Sequence, residues 1–489
     1  MPPSDYIQTR QLSQQSPNTH NPYFSKVVDS HPYFPNLSAT PADETSVKRA
    51  ALILIYSSIL LQQDAKQDET GQCLKQLLLD TTTENGVTVE SSALNQLSCT
   101  KVTGGITNAL FRISGFQSLQ LLPQSSPLEF NSVLVRIFGA EGMIDRDIET
   151  STYAALCHAD IAYKYMGRFR NGRIEGWLDG YHALQNSDLN DEHVSLEIAK
   201  EMARLHCLFS VPEGELRDHH CGKNNNELDV ISVGLWDQLS SWMEQAKGYS
   251  EFKTKDDTER VRLLQLDKIE MEVQTIIQSF TNDDAANNNG EEIDSGDSTA
   301  SICGSSNNNN SKPNVVFCHN DLLPANIMRN KATGHIQLID FEYGGSNYAA
   351  FDMANHFNEY AGGTTAADNG VPDYTRFPTP ERQTKFCVEY VKMTKRLESM
   401  KSDITDKADY DGGDQNTKEM IIEEDEELMK EARLLASHVQ MFILVNHLYW
   451  GLWAVNQAAE EGCEEFDYLT YASNRFNEYY VKKAEWEKK

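Results

Sequence analysis

Residues 315–342, VVFCHNDLLPANIMRNKATGHIQLIDFE, are the stretch of this 489-residue chain from which the fold can be read. Two short runs rich in β-branched residues, Val315–Cys318 and 336–339, are too short for helices and read as buried strands. Polar residues sit at fixed places on this frame. His319 and Asp321 follow the first run, Asn326 comes five residues after Asp321, and Asp340 closes the second run. Kinase-type phosphoryl transfer uses such groups in this order: one Asp orients the acceptor hydroxyl, while an Asn and a second Asp hold Mg²⁺ on the nucleotide phosphates. Turn capping needs neither that order nor two flanking strands. Asp321, Asn326 and Asp340 are therefore the candidate catalytic residues, with Asn326 and Asp340 as metal ligands. His319 is expected to brace the loop rather than to react.

Upstream, residues 131–138 (NSVLVRIF) and 109–114 read as strands, and Gly104-Gly105 precedes the latter. Residues 145–158 read as a helix burying Ile148, Thr152, Ala155 and Leu156, and 173–178 as another strand. Strands with one principal helix make a compact small lobe, led by helices at about 45–64 and 71–80. Beyond it the pattern is helical. Residues 194–209 place Ile198, Met202 and Leu205 on one face with Asp191 as N-cap, and 263–280 are similarly periodic. The last long helix, 428–460, contains MFILVNHLYWGLWAV, apolar on nearly all sides, and must be deeply buried. Four divisions are expected: a disordered segment 1–30, a lobe over 31–178, a helical lobe over 179–489, and within the latter low-complexity inserts at 281–312 and 402–427. Those inserts, rich in Asn, Asp, Gly, Ser and Glu, hold too little apolar surface to offset their ordering entropy.

The net charge of −30 argues against nucleic acid and anionic membranes as partners. Nine scattered cysteines without a C-x-x-C pair suit reduced thiols better than a disulfide framework or a zinc site. MPPSDYIQTRQLSQQ has no basic segment followed by an apolar one, so no secretory signal is expected. The apolar run 50–61 is too short to span a bilayer and reads as a packed helix. A cytoplasmic protein without an integral membrane segment is expected.

The segments GGITN (104–108), LVRIFG (134–139), CHNDLLPANI (318–327), LIDFEY (338–343), FDMANHFNEYAG (351–362) and YWGLW (449–453) follow one another in order. Together they resemble the choline/ethanolamine kinase family, within the wider protein-kinase-like and aminoglycoside-phosphotransferase group. The similarity covers roughly residues 85–485. HND-x(4)-N with IDFE points to the wider group, and NHFNEYAG with YWGLW to this family. The resemblance implies an α+β, two-lobed protein-kinase-like fold, with a small antiparallel-sheet lobe, a larger mostly helical lobe and the nucleotide between them. It also implies ATP and Mg²⁺ as cofactors and a small amino alcohol as substrate.

Residue by residue, Asp321 resembles the family's catalytic aspartate. Arg136 on its strand and Glu149 on the next helix resemble the cation–carboxylate pair that holds a nucleotide phosphate, with Arg in place of Lys. Gly104, Gly105, Thr107 and Asn108 form a turn whose N–H groups can approach phosphates. Glu175-Gly176-Trp177-Leu178 would lie against the adenine. Tyr343, Glu359, Trp450, Trp453 and Tyr471 match the aromatic, acidic box that surrounds the substrate cation. From Asn358 the chain reads NEYAGGTTAADNGVPDY, lacking the further aromatic residues of choline kinases. Together with GGITN, this resembles ethanolamine kinases, and Asn358 and Glu359 offer acceptors for a primary ammonium. The expected reaction is ATP- and Mg²⁺-dependent phosphorylation of ethanolamine, a first step toward phosphatidylethanolamine through CDP-ethanolamine. The alternatives are a choline or dual choline/ethanolamine kinase, an aminoglycoside or sugar kinase, and a pseudokinase-type binding protein. The sequence leaves the oligomeric state open.

Overall fold

The computed structural model describes residues 28, 30–62, 89–102, 108–119, 130–139, 146–209, 234–289, 313–365, 367–407 and 426–488. The chain forms two compact units, Met1–His182 with Met328–Glu342, and Ala183–Ile327 with Tyr343–Lys489. The first unit opens with β1 (Tyr33–Phe34), α1 (Glu44–Gln62), α2 (Val89–Gln96), β2 (Ser98–Val102), β3 (Asn108–Ser114) and β4 (Ser132–Phe138). It continues with α3 (Arg146–His158), β5 (Tyr165–Phe169), β6 (Gly172–Gly176) and β7 (Tyr181–Ala183). Its main sheet has the order β1-β5-β6-β4-β3-β2. Every pairing is antiparallel except β1 with β5, which is parallel, so the expected antiparallel sheet carries one parallel edge strand.

Period-two alternation along β4 gives this sheet two different faces. Val133, Val135 and Ile137 are buried in an apolar core with Phe111, Ile113, Ile174 and the α1 residues Val47 and Ala50 to Tyr56. The part of the apolar run from Ala50 to Tyr56 thus packs α1 into the first unit's own core. Arg136 lies between the aliphatic positions on β4 and so belongs to the opposite face. The sequence reading passed over β5 because Gly167 interrupts it. That glycine has φ 134° at a bulge. A side chain there would meet the Pro32 carbonyl at 2.7 Å and Leu54 at 2.8 Å.

The second unit begins with α4 (Glu192–Leu208), α5 (Gly234–Gly248), α6 (Lys255–Leu263), α7 (Leu266–Asn289) and β8 (Val315–Cys318). Asp191 caps α4 as expected, accepting the His193 N–H. The chain then passes through β9 (Ile327–Asn330) and β10 (Ile336–Leu338), which form with β7 a sheet ordered β10-β9-β7. β11 (Gly345–Tyr348) pairs antiparallel with β8. It is followed by α8 (Ala349–Asn358), α9 (Pro380–Lys407), α10 (Glu426–Glu460) and α11 (Tyr468–Trp486). α10 is the axis of the unit, buried on all sides from Met441 to Ala458 and packed by α5, α8, α9 and α11. At Gly451 a Cβ would lie 2.3 Å from the Phe476 ring, so only glycine lets α11 approach this closely.

Helix α7 runs into the first expected insert as far as Asn289, and α9 into the second as far as Lys407. Asn and Ser are only mildly unfavourable in helices, so a change of composition need not end one. The expected helix 71–80, and all of the expected disordered segment 1–30 except residues 28 and 30, lie outside the described residues. Among the described residues, no helix is long and apolar enough to cross a membrane.

Candidate active site

The loop after β8 is held before any ligand arrives. Asp352, fully buried on α8, accepts the N–H of His319 at 2.9 Å and of Asn320 at 2.7 Å, and bonds His206 Nε2 at 3.0 Å. Burial alone would raise the Asp352 carboxyl, but the His206 and His319 contacts hold it low. Asn355 accepts the Leu322 N–H at 2.6 Å, and His356 Nδ1 bonds the Leu322 carbonyl at 3.1 Å. Asn320 sits at φ 67°, a left-handed conformation that Asn tolerates better than most residues. Its side chain bonds the Tyr343 carbonyl and Asn347. His319 is wholly buried and its Nδ1 accepts the Asp321 N–H at 3.3 Å, which is a bracing arrangement.

Asn326 Nδ2 donates to the Asp321 carbonyl at 2.9 Å and to Asp321 Oδ2 at 3.0 Å. This orients the amide so that Oδ1 is its remaining polar atom. In the first unit, Asp340 stands at φ 65°, with Oδ1 accepting Arg136 Nη1 at 3.0 Å and its side chain about a quarter exposed. Asn326 Oδ1 and Asp340 Oδ2 are hard oxygen donors, the chemistry Mg²⁺ requires.

Arg136 and Glu149 belong to a buried charge network in the first unit rather than to an isolated pair. Arg136 and Arg173 face each other across β4 and β6, a like-charge pairing that is unfavourable by itself. Glu175 Oε1 lies between them, 2.8 Å from Arg136 Nε and 2.7 Å from Arg173 Nε. Glu149 accepts Arg173 at 2.7 Å and Arg146 at 2.8 Å, and Arg146 lies 3.6 Å from Glu342. Burial would raise the Glu149 carboxyl, but Arg173, Arg136 and Arg146 hold it at about 2. Burial would likewise raise Glu175, and Arg136 and Arg173 hold it low. Asn108 begins β3 with Nδ2 3.5 Å from Glu342, whereas Gly104, Gly105 and Thr107 lie outside the described residues. In the connector, Glu175 is committed to the network, the Gly176 N–H to the Lys164 carbonyl, and the Trp177 ring lies under Arg112.

The five expected substrate residues are gathered in the second unit. Tyr343 and Trp450 meet edge to face at 5.3 Å, as do Trp450 and Trp453. Trp453 Nε1 donates to the Tyr343 hydroxyl at 3.0 Å, and its ring reaches Tyr471 at 6.5 Å. Glu359 is buried, and Oε1 accepts Arg475 Nη1 at 3.2 Å. Burial pushes its carboxyl above the usual range, with Arg475 pulling the other way. The Tyr471 phenol feels the charge of both Glu359 and Asp321. Asn358 points inward, with Nδ2 donating to Asn446 Oδ1 at 2.8 Å, and its Oδ1 is buried without a hydrogen-bond partner.

The sequence reading did not single out Asp352, Arg173, Arg475 or Asn446. Asp352 lies inside a motif already singled out, and Arg173 and Glu175 alternate on an otherwise apolar strand, which is a usable signal. Asn446 interrupts the apolar run 441–455, which is also a usable signal, whereas Arg475 has none, because a charge on a helix usually lies at the surface.

The family model described as choline/ethanolamine kinase matches residues 99–480. Ethanolamine kinase 1 of Mus musculus is 29% identical over 386 residues, 78% of this chain and 83% of that protein. The Arabidopsis thaliana protein named probable choline kinase 3 is 26% identical over 412 residues, 84% of this chain and 93% of that protein. Among solved structures, an ethanolamine kinase of Plasmodium vivax shares the protein-kinase-like fold with a TM-score of 0.56 at 21% identity. That match covers 85% of this chain and 90% of the other. The chain belongs to the choline/ethanolamine kinase family.

Proposed function

We propose that this protein transfers the γ-phosphoryl group of ATP to ethanolamine, giving phosphoethanolamine for the CDP-ethanolamine route. Asp321 orients the acceptor hydroxyl and takes up its proton. Alignment matters more than basicity here, because the transition state is loose. Asn326 and Asp340 are the residues to hold Mg²⁺, which when bound neutralises charge on the phosphates. Arg136 and Asn108, with the GGIT segment before it, are assigned to the nucleotide. Glu149 and Glu175 keep the Arg136 guanidinium aimed.

The observation that carries the choice of acceptor is the buried Glu359 Oε2, which has no hydrogen-bond partner. The same holds for the adjacent Asn358 Oδ1. A primary ammonium brings three N–H donors to such acceptors, whereas a trimethylammonium brings none. The four rings of Tyr343, Trp450, Trp453 and Tyr471 favour a second reading, in which choline is accepted as well. Competition kinetics with the two alcohols decides between them, and a kcat/KM favouring choline would overturn the first choice. Asp321→Asn should lower kcat by about 10²- to 10⁴-fold while nucleotide binding survives. Asp340→Ala should also weaken binding of Mg²⁺-nucleotide. If the wild type released no ADP with either alcohol, a pseudokinase-type binding protein would be the better reading.

A further inference from the structure

Glu359 is joined to a cation within a cluster assigned to a cation. Arg475, itself 2% exposed, reaches it from α11. Arg475 Nη2 donates to Asn446 Oδ1 at 2.6 Å and to the Asn446 carbonyl at 3.2 Å. The guanidinium also lies 5.5 Å from the centre of the Tyr471 ring. The Asn446 carbonyl and side chain, the Tyr471 face and Glu359 Oε1 thus fix the guanidinium together. Oε1 of the carboxylate is thereby consumed, and Oε2 is left buried without a partner. An unpaired buried polar atom costs about 1–3 kcal/mol, more when charged, so a carboxylate placed here would protonate unless something holds its charge.

Resting on the acceptor site proposed above, we propose that Arg475 is a positioning residue for the substrate. It holds Glu359 by Oε1 and presents Oε2 to the ammonium end of the amino alcohol. A cation thus assists the binding of a second cation, because without it the carboxyl would be neutral. The other titratable groups nearby do not take this role. The phenols of Tyr374 and Tyr471 are pushed up by burial and stay neutral. His447 is pushed well below its usual value by burial and by the charges of Arg475 and Lys482, so it is neutral too. Glu478 and Lys482 pair with each other at 3.6 Å.

The test is the pH profile of kcat/KM for the amino alcohol in the full-length protein, with ethanolamine and choline in parallel. In Arg475→Met the acid limb belonging to Glu359 should move up by about one pH unit or more, the usual influence of an adjacent guanidinium on a carboxyl. Affinity lost at neutral pH should return as the pH rises. Arg475→Lys keeps the charge and should leave the limb near its wild-type position, even if KM rises. Arg475→Gln, also neutral, takes the place of the methionine variant if that variant does not fold, with the same displaced limb expected. Glu359→Gln should remove the limb, and adding Arg475→Met to it should shift nothing further. A uniform fall in kcat/KM at every pH in Arg475→Met, with the limb unmoved, would reduce Arg475 to a packing role and overturn the inference. Preference for choline would overturn only the choice of acceptor. If neither alcohol turns over, direct binding titrations of both alcohols across pH must still show the displaced limb, or the inference fails with the function.

Discussion

The two units each bury a polar cluster, and the clusters are built on opposite plans. In the first unit, Glu149, Glu175, Asp340 and Glu342 each meet at least one of Arg136, Arg146 and Arg173. In the second, Glu359 Oε2, Asn358 Oδ1, Asn446 Nδ2, Arg475 Nε and both ring nitrogens of His447 have no hydrogen-bond partner. The difference lies in hydrogen bonding rather than in charge, since four carboxylates face three guanidiniums in the first and Glu359 faces Arg475 in the second. The first gives every one of these carboxylates an arginine and acts as a frame that aims Arg136. The second keeps acceptors unpaired where the proposed substrate would complete it, at a cost to the empty protein.

Four measurements test that contrast. The largest effect is expected from Glu175→Ala, which strands Arg136 and Arg173 face to face and should cost about 3–5 kcal/mol in denaturant unfolding. A loss near zero would mean the first network is not a closed frame. Next comes the pH dependence of stability, which should separate the units. His356 is buried and depressed from 6.5 to about 4. Between those values the unfolded chain binds the proton and the folded one does not. Its stabilisation is therefore complete above pH 6.5 and is lost toward pH 4, by about 3 kcal/mol. Glu149, lowered from 4.5 to about 2, has its contribution intact above 4.5 and loses it only toward pH 2. Unfolding curves with His356→Gln should accordingly be flatter between pH 6.5 and 4.

Gly451→Ala should cost about 1–3 kcal/mol, since its Cβ would overlap the Phe476 ring and force α11 outward. Thermal melts would check this, and a compensated core would show no loss. Glu359→Gln should cost less than Glu175→Ala, because the amide oxygen can still accept from Arg475 and only one guanidinium loses its counter-charge. Its kcat/KM for the amino alcohol should nonetheless fall by about tenfold or more. Destabilisation comparable to Glu175→Ala would erase the distinction between frame and open site.

Much of this was legible in the sequence because the signals were local. Residues 315–342 carry Asp321, Asn326 and Asp340 within 20 residues of one another, on strands whose β-branched runs admit few readings. The pairing of Arg136 was not legible. Its bonds go to Glu175 and Asp340, 39 and 204 residues away, and only strand register brings them together. β5 was hidden by the glycine that lets β1 approach. Arg475 was hidden because a charge on a helix looks solvated until the neighbouring helix is known.

The contact between Gly451 and Phe476 has a consequence for altering the substrate range of this enzyme class. The two tryptophans flank that glycine on α10, while Tyr471 and Arg475 lie on α11, so both walls of the proposed acceptor site are set at one fixed separation. The site therefore has no adjustable width. Selection for a bulkier amino alcohol would have to proceed by trimming side chains one at a time, and variants bearing a larger residue at position 451 should be absent from any such population.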